Sequence, residues 1–172
     1  MIRVWRLLHD AAELIVACLV GILIFQFIGA KTYVPTGSMI PTINIDDHML
    51  ITNVPYYYRH PKQGEIVIFR LGDQNVVKRV IGMPNDVINI SGGKVYVNDV
   101  EIDESNYVNE VNVTFPQVIQ YPYLVPENSY FVLGDNRTGS GDSRSFGAIS
   151  RDDIFATGAY RVYPFDNVGL IK

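Results

Sequence analysis

The length, composition and charge of the chain exclude several functions before any motif is considered. Its 172 residues suit one globular domain plus a short additional segment, and a net charge of -4 gives no basic surface for nucleic acid. The only cysteine, Cys18, lies in an apolar run, and the three histidines lack zinc-ligand spacing, so we expect no disulfide framework, no metal site and no cofactor.

The first element is an apolar run near the N-terminus. Residues 14–30 read LIVACLVGILIFQFIGA, without a charge, which is close to the length that crosses a hydrocarbon core about 30 Å thick. A cleaved secretory signal is the alternative, but its apolar stretch is usually shorter, and bulky Ile28 stands two residues before Ala30. We favour a retained transmembrane anchor in residues 1–30. Because Arg3 and Arg6 precede the run, we expect a cytoplasmic N-terminus and an extracytoplasmic remainder.

A short loop follows the predicted anchor and contains a candidate nucleophile. Residues 35–42 read PTGSMIPT and place Ser38 between a glycine and a turn. A serine in this setting is most often an ordinary turn residue. Ser38, however, follows a membrane-length apolar run by only a few residues. This position makes Ser38 a candidate nucleophile if the rest of the chain supplies a catalytic base.

An aromatic and basic cluster comes next, at residues 56–60, which read YYYRH. Tyrosine rings of this kind suit the headgroup region of a membrane, where one end of the ring is apolar and the other is hydrated. An ordinary strand end between Pro55 and Pro61 explains the same residues equally well. The pattern leaves both interpretations open.

From residue 31 onward, short runs of β-branched and aromatic residues alternate with Gly, Pro, Asn and Asp, which is typical of a mainly β protein. We expect an all-β domain over residues 31–172 with an inserted β subdomain over residues 83–127. The candidate strands are 48–52, 65–70, 75–81, 86–90, 94–98, 129–133 and 154–163. The sequence Ser91-Gly92-Gly93 predicts a hairpin between the fourth and the fifth of them.

Lys78 lies in the third candidate strand. A period of two places its side chain on the same face as Val76 and Val80. Apolar surroundings disfavour the ammonium form, and the lysine pKa would then fall towards the 7 to 8 that a general base needs at neutral pH. A lysine on an exposed edge strand is the commoner case. Periodicity therefore permits a serine and lysine dyad without selecting it.

Five segments of the chain, taken in order, resemble sequence motifs of a known family. Residues 38–42, 64–69, 78–86, 134–147 and 161–165 resemble the successive sequence boxes of type I signal peptidases. In the fourth of them, GDNRTGSGDSRSFG, a calcium loop would need oxygen ligands at the positions that Arg137 and Gly139 occupy. The resemblance runs from the loop after the apolar run almost to the C-terminus.

The resemblance implies a membrane-bound serine endopeptidase that removes signal peptides from exported proteins with a Ser/Lys dyad. Ser38 would be the nucleophile and Lys78 the general base. Thr36 matches the oxyanion donor, and Ser140 matches the serine that orients the lysine. The residues that match the supporting loop are Asp135, Arg137, Asp142 and Arg144.

The resemblance also implies the substrate and the location. The substrate would be an extended preprotein segment with small residues one and three positions before the cut, at positions -1 and -3. The residues expected to line its pockets are Val34, Met39, Ile43, Val76 and Val77. The enzyme would be a single-pass protein of the plasma membrane, with the lipid bilayer and the export machinery as further partners and no role for nucleic acid.

Two other functions remain possible on the sequence. A self-cleaving repressor-type peptidase shares the dyad, but it cuts its own chain at an Ala-Gly or similar bond, and this chain has no Ala-Gly pair. A membrane-anchored β-domain that binds secreted chains without cutting them is the alternative from a different class. The presence of Ser38, Lys78 and Ser140 together disfavours that binding module.

Overall fold

The computed structural model describes residues 2–27, 31–51, 59–108 and 113–171. Helix α1 runs over Ile2–Phe27, and its described side chains, those of residues 6 and 9–22, are all exposed. Within the described ranges, no helix combines the length and apolar character that a membrane span requires, so the transmembrane anchor predicted over residues 1–30 is not supported by this structure. The tyrosines of the predicted aromatic cluster lie outside the described residues.

Strands dominate the rest of the described chain, which confirms the prediction of a mainly β protein. A four-residue helix α2, Ser143–Phe146, and two 3₁₀ turns, Arg151–Asp153 and Phe165–Asn167, interrupt them. The strands are β1 Lys31–Tyr33, β2 His48–Ile51, β3 Ile66–Leu71, β4 Gln74–Gly82, β5 Val87–Ser91, β6 Lys94–Val97, β7 Val100–Glu101, β8 Tyr123–Leu124, β9 Ser129–Leu133, β10 Ile149–Ser150, β11 Ile154–Thr157, β12 Ala159–Tyr163 and β13 Gly169–Ile171.

The strands form three antiparallel sheets. The orders are β10-β9-β4-β3-β11 in a five-stranded sheet, β1-β2-β12-β13 in a second sheet, and β7-β6-β5-β8 in a third. The third sheet falls within residues 83–127, where the insertion is predicted. The division into an anchor, a catalytic domain and an inserted subdomain stays a prediction. In the five-stranded sheet, β4 is the middle strand.

The hairpin between β5 and β6 follows the predicted turn chemistry. Ser91 pairs with Lys94, which leaves Gly92 and Gly93 as a two-residue loop. Both glycines have positive φ, 59° and 80°. Two successive residues with positive φ form the turn whose twist matches that of the flanking strands, and glycine adopts it without steric cost.

The prediction of one strand over residues 154–163 is wrong. Strand β11 pairs with β3 in the five-stranded sheet, whereas β12 pairs with β2 in another sheet. Gly158 separates them at φ +80°, a conformation that glycine adopts without steric cost. The five shortest strands, which the pattern did not predict, are too short for alternation to be recognised: β1, β7, β8, β10 and β13.

The faces of β4 bury different clusters, as its period of two predicts. Val80 belongs to a cluster with Val67, against which Val76 packs, whereas Val77 packs against a cluster that contains Val34 and Met39. Lys78 pairs with Val67 across β3 and β4. The lysine therefore lies opposite a fully buried valine and is itself buried, so the alternative of an exposed lysine on an edge strand is excluded.

Replacing Gly158 by alanine is expected to destabilise the protein by about 1–2 kcal/mol, because a Cβ is unfavourable at its φ of +80° even though nothing lies within 4 Å of it. Urea unfolding of the full chain, followed by circular dichroism, measures the difference. Gly169→Ala is the matched control, since Gly169 also has open space around it but no positive φ. Equal stabilities of the two variants would contradict the turn argument.

Candidate active site

The structure brings Ser38 and Lys78 into direct contact. The Lys78 Nζ donates a hydrogen bond to the Ser38 Oγ at 2.7 Å and another to the Val77 carbonyl oxygen at 3.0 Å. Lys78 is only 3 % exposed, and Ser38 is half-buried. A hydroxyl and an amine at this distance can exchange a proton without rearrangement.

Burial lowers the pKa of Lys78 from 10.5 to about 8. The cause is the loss of water around the ammonium group, which disfavours the charged form. The negative charges of Asp142 and Asp135 act in the opposite direction and limit the fall. An appreciable fraction of the amine is therefore neutral near pH 8, and a neutral amine accepts a proton.

The loop that carries Ser38 is held by Asn136. The Asn136 backbone N–H donates to the Ser38 carbonyl oxygen at 3.1 Å, and its side-chain Nδ2 donates to the Gly37 carbonyl oxygen at 3.0 Å. Sequence reasoning missed this residue as a site residue, although it lies inside the segment 134–147 that carries the resemblance. Its charged neighbours were assigned because they match the supporting loop of the family, and no role was assigned to Asn136.

Ser140 lies next to Gly134 and the Ser38 carbonyl oxygen, but it does not make the contact with Lys78 that the resemblance implies. The structure shows no hydrogen bond from Ser140 to Lys78, and the buried Ser140 Oγ has no hydrogen-bond partner among the described residues. A Cβ on Gly134 would lie 2.2 Å from this oxygen and 2.5 Å from the Ser38 carbonyl oxygen. The loop that carries Ser38, residues 35–42, is called the serine loop below. At Gly134 the segment 134–147 approaches the serine loop too closely for any side chain.

Asp142 and Arg144 form a buried ion pair inside the segment. The Arg144 Nε lies 2.8 Å from the Asp142 Oδ1, and the Arg144 Nη2 lies 2.8 Å from the Asp142 Oδ2. Asp142 also caps α2 by accepting from the Arg144 N–H, and its Oδ2 accepts from the Gly134 N–H at 3.1 Å. Aspartate is favoured at this cap position because its oxygen satisfies a free N–H group. The pair fixes the start of α2 against Gly134.

Asp135 and Arg137 bind partners outside the segment. Asp135 makes a bidentate pair with Arg79, at 2.8 and 2.7 Å, and accepts from the hydroxyl of Thr42 in the serine loop. Arg137 binds the carboxylate of Glu104, and its Nη1 lies 2.7 Å from the Glu104 Oε2. Sequence reasoning did not identify the partners, because an ion pair between distant residues leaves no local pattern.

Tyr107 joins the two buried arginines. The guanidinium carbon of Arg79 lies 4.2 Å from the centre of the Tyr107 ring, and that of Arg137 lies 6.0 Å from it. Burial raises the pKa of Tyr107, so its hydroxyl stays neutral and its ring offers both cations a π face. The segment around Tyr107 is thereby tied to the residues beside Lys78.

A groove of about 770 Å³ opens at Ser38 and Lys78. Thr36, which is exposed, lies on its wall. All five residues predicted to line substrate pockets do line it: Val34, Met39, Ile43, Val76 and Val77. The other lining residues, which sequence reasoning missed, are Pro35, Ile51, Ile68, Leu71, Gln74, Asn75, Gly139, Gly141 and Phe155.

One group of potential metal ligands occurs in the described part of the chain. His9, Asp10 and Glu13 lie on α1, and their ligand atoms are all within 4.8 Å of one another. The three side chains are exposed, and none of them lines the groove. Exposed acidic groups of this kind are common without an ion, so the prediction that the protein needs no metal stays a prediction.

Replacing Lys78 by methionine is expected to stabilise the protein at neutral pH. The gap between a pKa of 10.5 and one of about 8 corresponds to about 3 kcal/mol. Below pH 8 lysine is protonated in both states, and the folded state bears the full cost of burying the charge. Between pH 8 and 10.5 the unfolded chain binds more protons, so the stability of the wild type rises and the advantage of the variant shrinks.

Urea unfolding of both proteins at pH 7 and pH 10 measures this difference. The matched control is Lys94→Met, because Lys94 is well exposed and its pKa is raised by Glu101. We expect no gain for the control at either pH. A Lys78→Met advantage that is absent, or that stays constant across the two pH values, would contradict the buried lysine.

Comparison with known proteins finds signal peptidases that match most of the chain. A family model described as signal peptidase, peptidase S26, matches residues 7–163. A probable signal peptidase I-2 of Synechocystis sp. is 36 % identical over 167 residues, which cover 92 % of this chain and 74 % of that protein. The signal peptidase I S of Bacillus subtilis is 31 % identical over 169 residues, with 94 % and 92 % covered.

Among solved structures, a signal peptidase I from Enterococcus faecalis V583 is 32 % identical, with a TM-score of 0.47, and the match covers 57 % of this chain and 96 % of that one. The family model and the relatives each span far more than half of the chain. The chain therefore belongs to the signal peptidase family, peptidase S26.

Proposed function

We propose that this protein is a serine endopeptidase that removes N-terminal signal peptides from exported preproteins, with Ser38 as the nucleophile and Lys78 as the general base. The observation that carries the proposal is the 2.7 Å contact between the Lys78 Nζ and the Ser38 Oγ. A pKa near 8 makes the buried amine a suitable base at the pH where a cell works. The contact and the burial together support a catalytic dyad rather than two neighbouring polar residues.

The first half of the reaction forms an acyl-enzyme. Neutral Lys78 accepts the Ser38 proton while the Ser38 Oγ attacks the carbonyl carbon of the scissile peptide bond. The carbonyl oxygen becomes an oxyanion in the tetrahedral intermediate. When the intermediate collapses, the bond from carbon to nitrogen breaks and Lys78 gives its proton to the departing amine. The signal peptide is left as an ester on Ser38, and the mature chain is free to leave.

The second half returns the enzyme to its starting state. Lys78, neutral again, accepts a proton from a water molecule that attacks the ester carbon. The bond between that carbon and the Ser38 Oγ then breaks, and the Lys78 proton returns to Ser38. The signal peptide departs with a carboxylate end. One amine thus performs in both halves what histidine performs in the serine protease triad.

Thr36 is proposed to stabilise the oxyanion together with the Ser38 backbone N–H. Its support is position, because Thr36 is exposed on the wall of the groove that Ser38 also lines. A hydroxyl aimed at the place where negative charge develops lowers the barrier without binding the ground state more tightly.

Ser140 and the residues around it are proposed to hold the dyad. The Ser140 Oγ is buried without a hydrogen-bond partner among the described residues, so it is free to orient the amine when a substrate arrives. The Asp142–Arg144 pair holds the start of α2 against Gly134. Asp135 and Arg137 anchor the segment 134–147 through Arg79 and Glu104. These roles are structural support for Ser38 and Lys78.

The substrate is proposed to be an extended segment with small residues at positions -1 and -3. The support is the lining of the groove, where Val34, Met39, Ile43, Val76 and Val77 leave shallow apolar space beside the dyad. An extended peptide adds to a sheet edge through main-chain hydrogen bonds, and pockets for alternate side chains provide specificity.

The location is proposed to be the plasma membrane, with residues 1–30 as a single-pass anchor, a cytoplasmic N-terminus and the export machinery nearby. Its support is the surface of α1, on which large apolar side chains are exposed, among them Leu14, Ile15 and Ile22 at 67 %, 60 % and 61 %. A large exposed apolar surface commonly marks a place of contact with a membrane or a partner protein. The basic residues at the start of the chain favour the stated orientation.

Ser38→Ala and Lys78→Met are each expected to reduce preprotein cleavage about 10⁴-fold or more, because either change removes one half of the proton transfer. The assay follows cleavage of a purified preprotein by the full chain in detergent. For the wild type, kcat/KM should rise as pH increases through 8, where Lys78 loses its proton.

The matched controls for this assay are Ser91→Ala and Lys94→Met, which change a serine and a lysine in the hairpin between β5 and β6. Both should retain wild-type cleavage. Full activity of either dyad variant would refute the mechanism. Wild-type inactivity on several preproteins would instead favour the membrane-anchored binding module.

Thr36→Val is expected to reduce kcat by about 10²- to 10³-fold, or somewhat less, with little change in KM, because the missing hydroxyl acts on the developing oxyanion. Thr36→Ser keeps the hydroxyl and should restore most of the rate. Ser91→Ala is the control, since Ser91 is also an exposed residue with a hydroxyl and does not line the groove. An unchanged kcat in Thr36→Val would remove Thr36 from the oxyanion site.

A further inference from the structure

Arg161 is a charged residue on the core-facing side of β12. It pairs with Met49 of β2, and Ala159, two residues earlier in the same strand, pairs with Ile51. Residues that are directly opposite in an antiparallel pair have their side chains on the same face of the sheet, and Met49, Ile51 and Ala159 are all buried. The Arg161 side chain is only 14 % exposed. A cation on such a face is stable only when it is paired.

The partners of Arg161 lie in the serine loop and just after it. Its Nη2 donates a hydrogen bond to the Thr42 carbonyl oxygen. Its Nε lies 2.8 Å from the Asp47 Oδ2, which is a contact of opposite charges without an aligned hydrogen bond. Asp47 is itself buried, and the same Oδ2 accepts from the Asn44 N–H at 3.0 Å. One guanidinium group therefore fixes two points of the chain shortly after Ser38.

Thr42 is thereby held from two sheets. Its hydroxyl donates to Asp135, which is paired with Arg79 of the five-stranded sheet. Its carbonyl oxygen accepts from Arg161, which belongs to the sheet β1-β2-β12-β13. The contact with Arg161 is thus what fixes the serine loop relative to this second sheet.

A hydrogen-bonded turn joins Thr42 to Ser38. The Ile43 N–H donates to the Met39 carbonyl oxygen at 2.8 Å, and Met39, which follows Ser38, is buried with Ile43 in one apolar cluster. Closely packed side chains transmit a displacement rather than absorb it. A shift of the Thr42 carbonyl is therefore expected to move the Ser38 Oγ away from Lys78. A misplacement of about 1 Å can cost about 10²-fold in rate.

We propose that Arg161 is a positioning residue for the cleavage reaction, which holds Thr42 and Asp47 so that the Ser38 Oγ stays within reach of the Lys78 Nζ. The inference rests on the proposed function for the reaction whose rate it affects. Arg161 does not line the groove, so it acts through the serine loop and not on the substrate. The second sheet thereby contributes to catalysis without contacting the scissile bond.

The test measures kcat and KM of Arg161→Ala in the detergent assay with a purified preprotein. Urea unfolding of the same preparation gives the folded fraction, so kcat is expressed per folded molecule. We expect kcat to fall about 10²-fold and KM to stay within about twofold, because the groove is intact and only the nucleophile is displaced. The pH at which kcat/KM rises should stay near 8, since the charges that act on the pKa of Lys78 are those of Asp142 and Asp135.

Rescue by guanidinium chloride provides a readout that a purely structural role would not move. A pocket of about 330 Å³ opens beside Arg161 and Thr42, so a free guanidinium ion can reach the space that the side chain leaves. At about 20 mM, far below denaturing concentrations, guanidinium should raise the kcat of Arg161→Ala about tenfold, and the same concentration of sodium chloride should not. Arg59→Ala is the matched control, since Arg59 forms a bidentate ion pair with Glu65 at the surface. It should keep the wild-type kcat and show no response to guanidinium.

Arg161→Lys tests the same point if Arg161→Ala is too unstable to assay. Its ammonium group keeps a charge beside Asp47 but cannot also reach Thr42 as a planar guanidinium does, and kcat per folded molecule should fall about tenfold. A wild-type kcat per folded molecule in either variant would overturn the proposal and leave Arg161 a purely stabilising residue. A loss in Arg161→Ala that guanidinium does not restore better than sodium chloride would overturn it as well.

These results are distinct from a failure of the proposed function. If the wild type cleaves the preprotein, Ser38→Ala does not and Arg161→Ala keeps its full kcat, the dyad stands and the positioning role is wrong. If Ser38→Ala cleaves as fast as the wild type, or if the wild type cleaves no preprotein, the proposed function fails and the positioning role fails with it.

Discussion

The arrangement of the site depends on one buried ion pair, between Arg79 and Asp135. Arg79 follows Lys78 in β4, and Asp135 precedes Asn136, which holds the serine loop. Thr42, from the serine loop itself, donates to the same carboxylate. The pair therefore joins the strand of the base to the segment that positions the nucleophile. Removing one partner of a buried pair typically costs about 3–5 kcal/mol, because the other charge is left without compensation.

Burial of Lys78 has two consequences that cannot be separated. The same loss of water that lowers its pKa to about 8 destabilises the folded protein wherever the amine is charged. Asp142 and Asp135 limit the fall of the pKa and are themselves held by arginines. The site thus combines an amine that loses its proton easily with fixed charges around it, and local stability is reduced where the chemistry is proposed.

The sequence predicted the elements whose signal is local. Six of the seven candidate strands appear with shifts of no more than one residue at either end, and the hairpin at Gly92 and Gly93 has the predicted turn. The failure at residues 154–163 has a physical reason, because a β-branched run does not reveal which sheet each half joins. The five residues predicted for substrate pockets line the groove, and their role in binding a substrate stays a prediction. Leu71 and Phe155 also line the groove and were missed, since they reach it from a hairpin and from a different strand.

The sequence by itself determined the mainly β class, the alternation that places Lys78 on the same face of its strand as Val76 and Val80, and the order of segments that resembles the signal peptidases. Only the tertiary structure decided that Lys78 contacts Ser38 across 40 residues of chain and that Asn136 holds the serine loop. Turns and alternation depend on neighbours in sequence and can be read from them. Distances between distant side chains depend on how the sheets pack together.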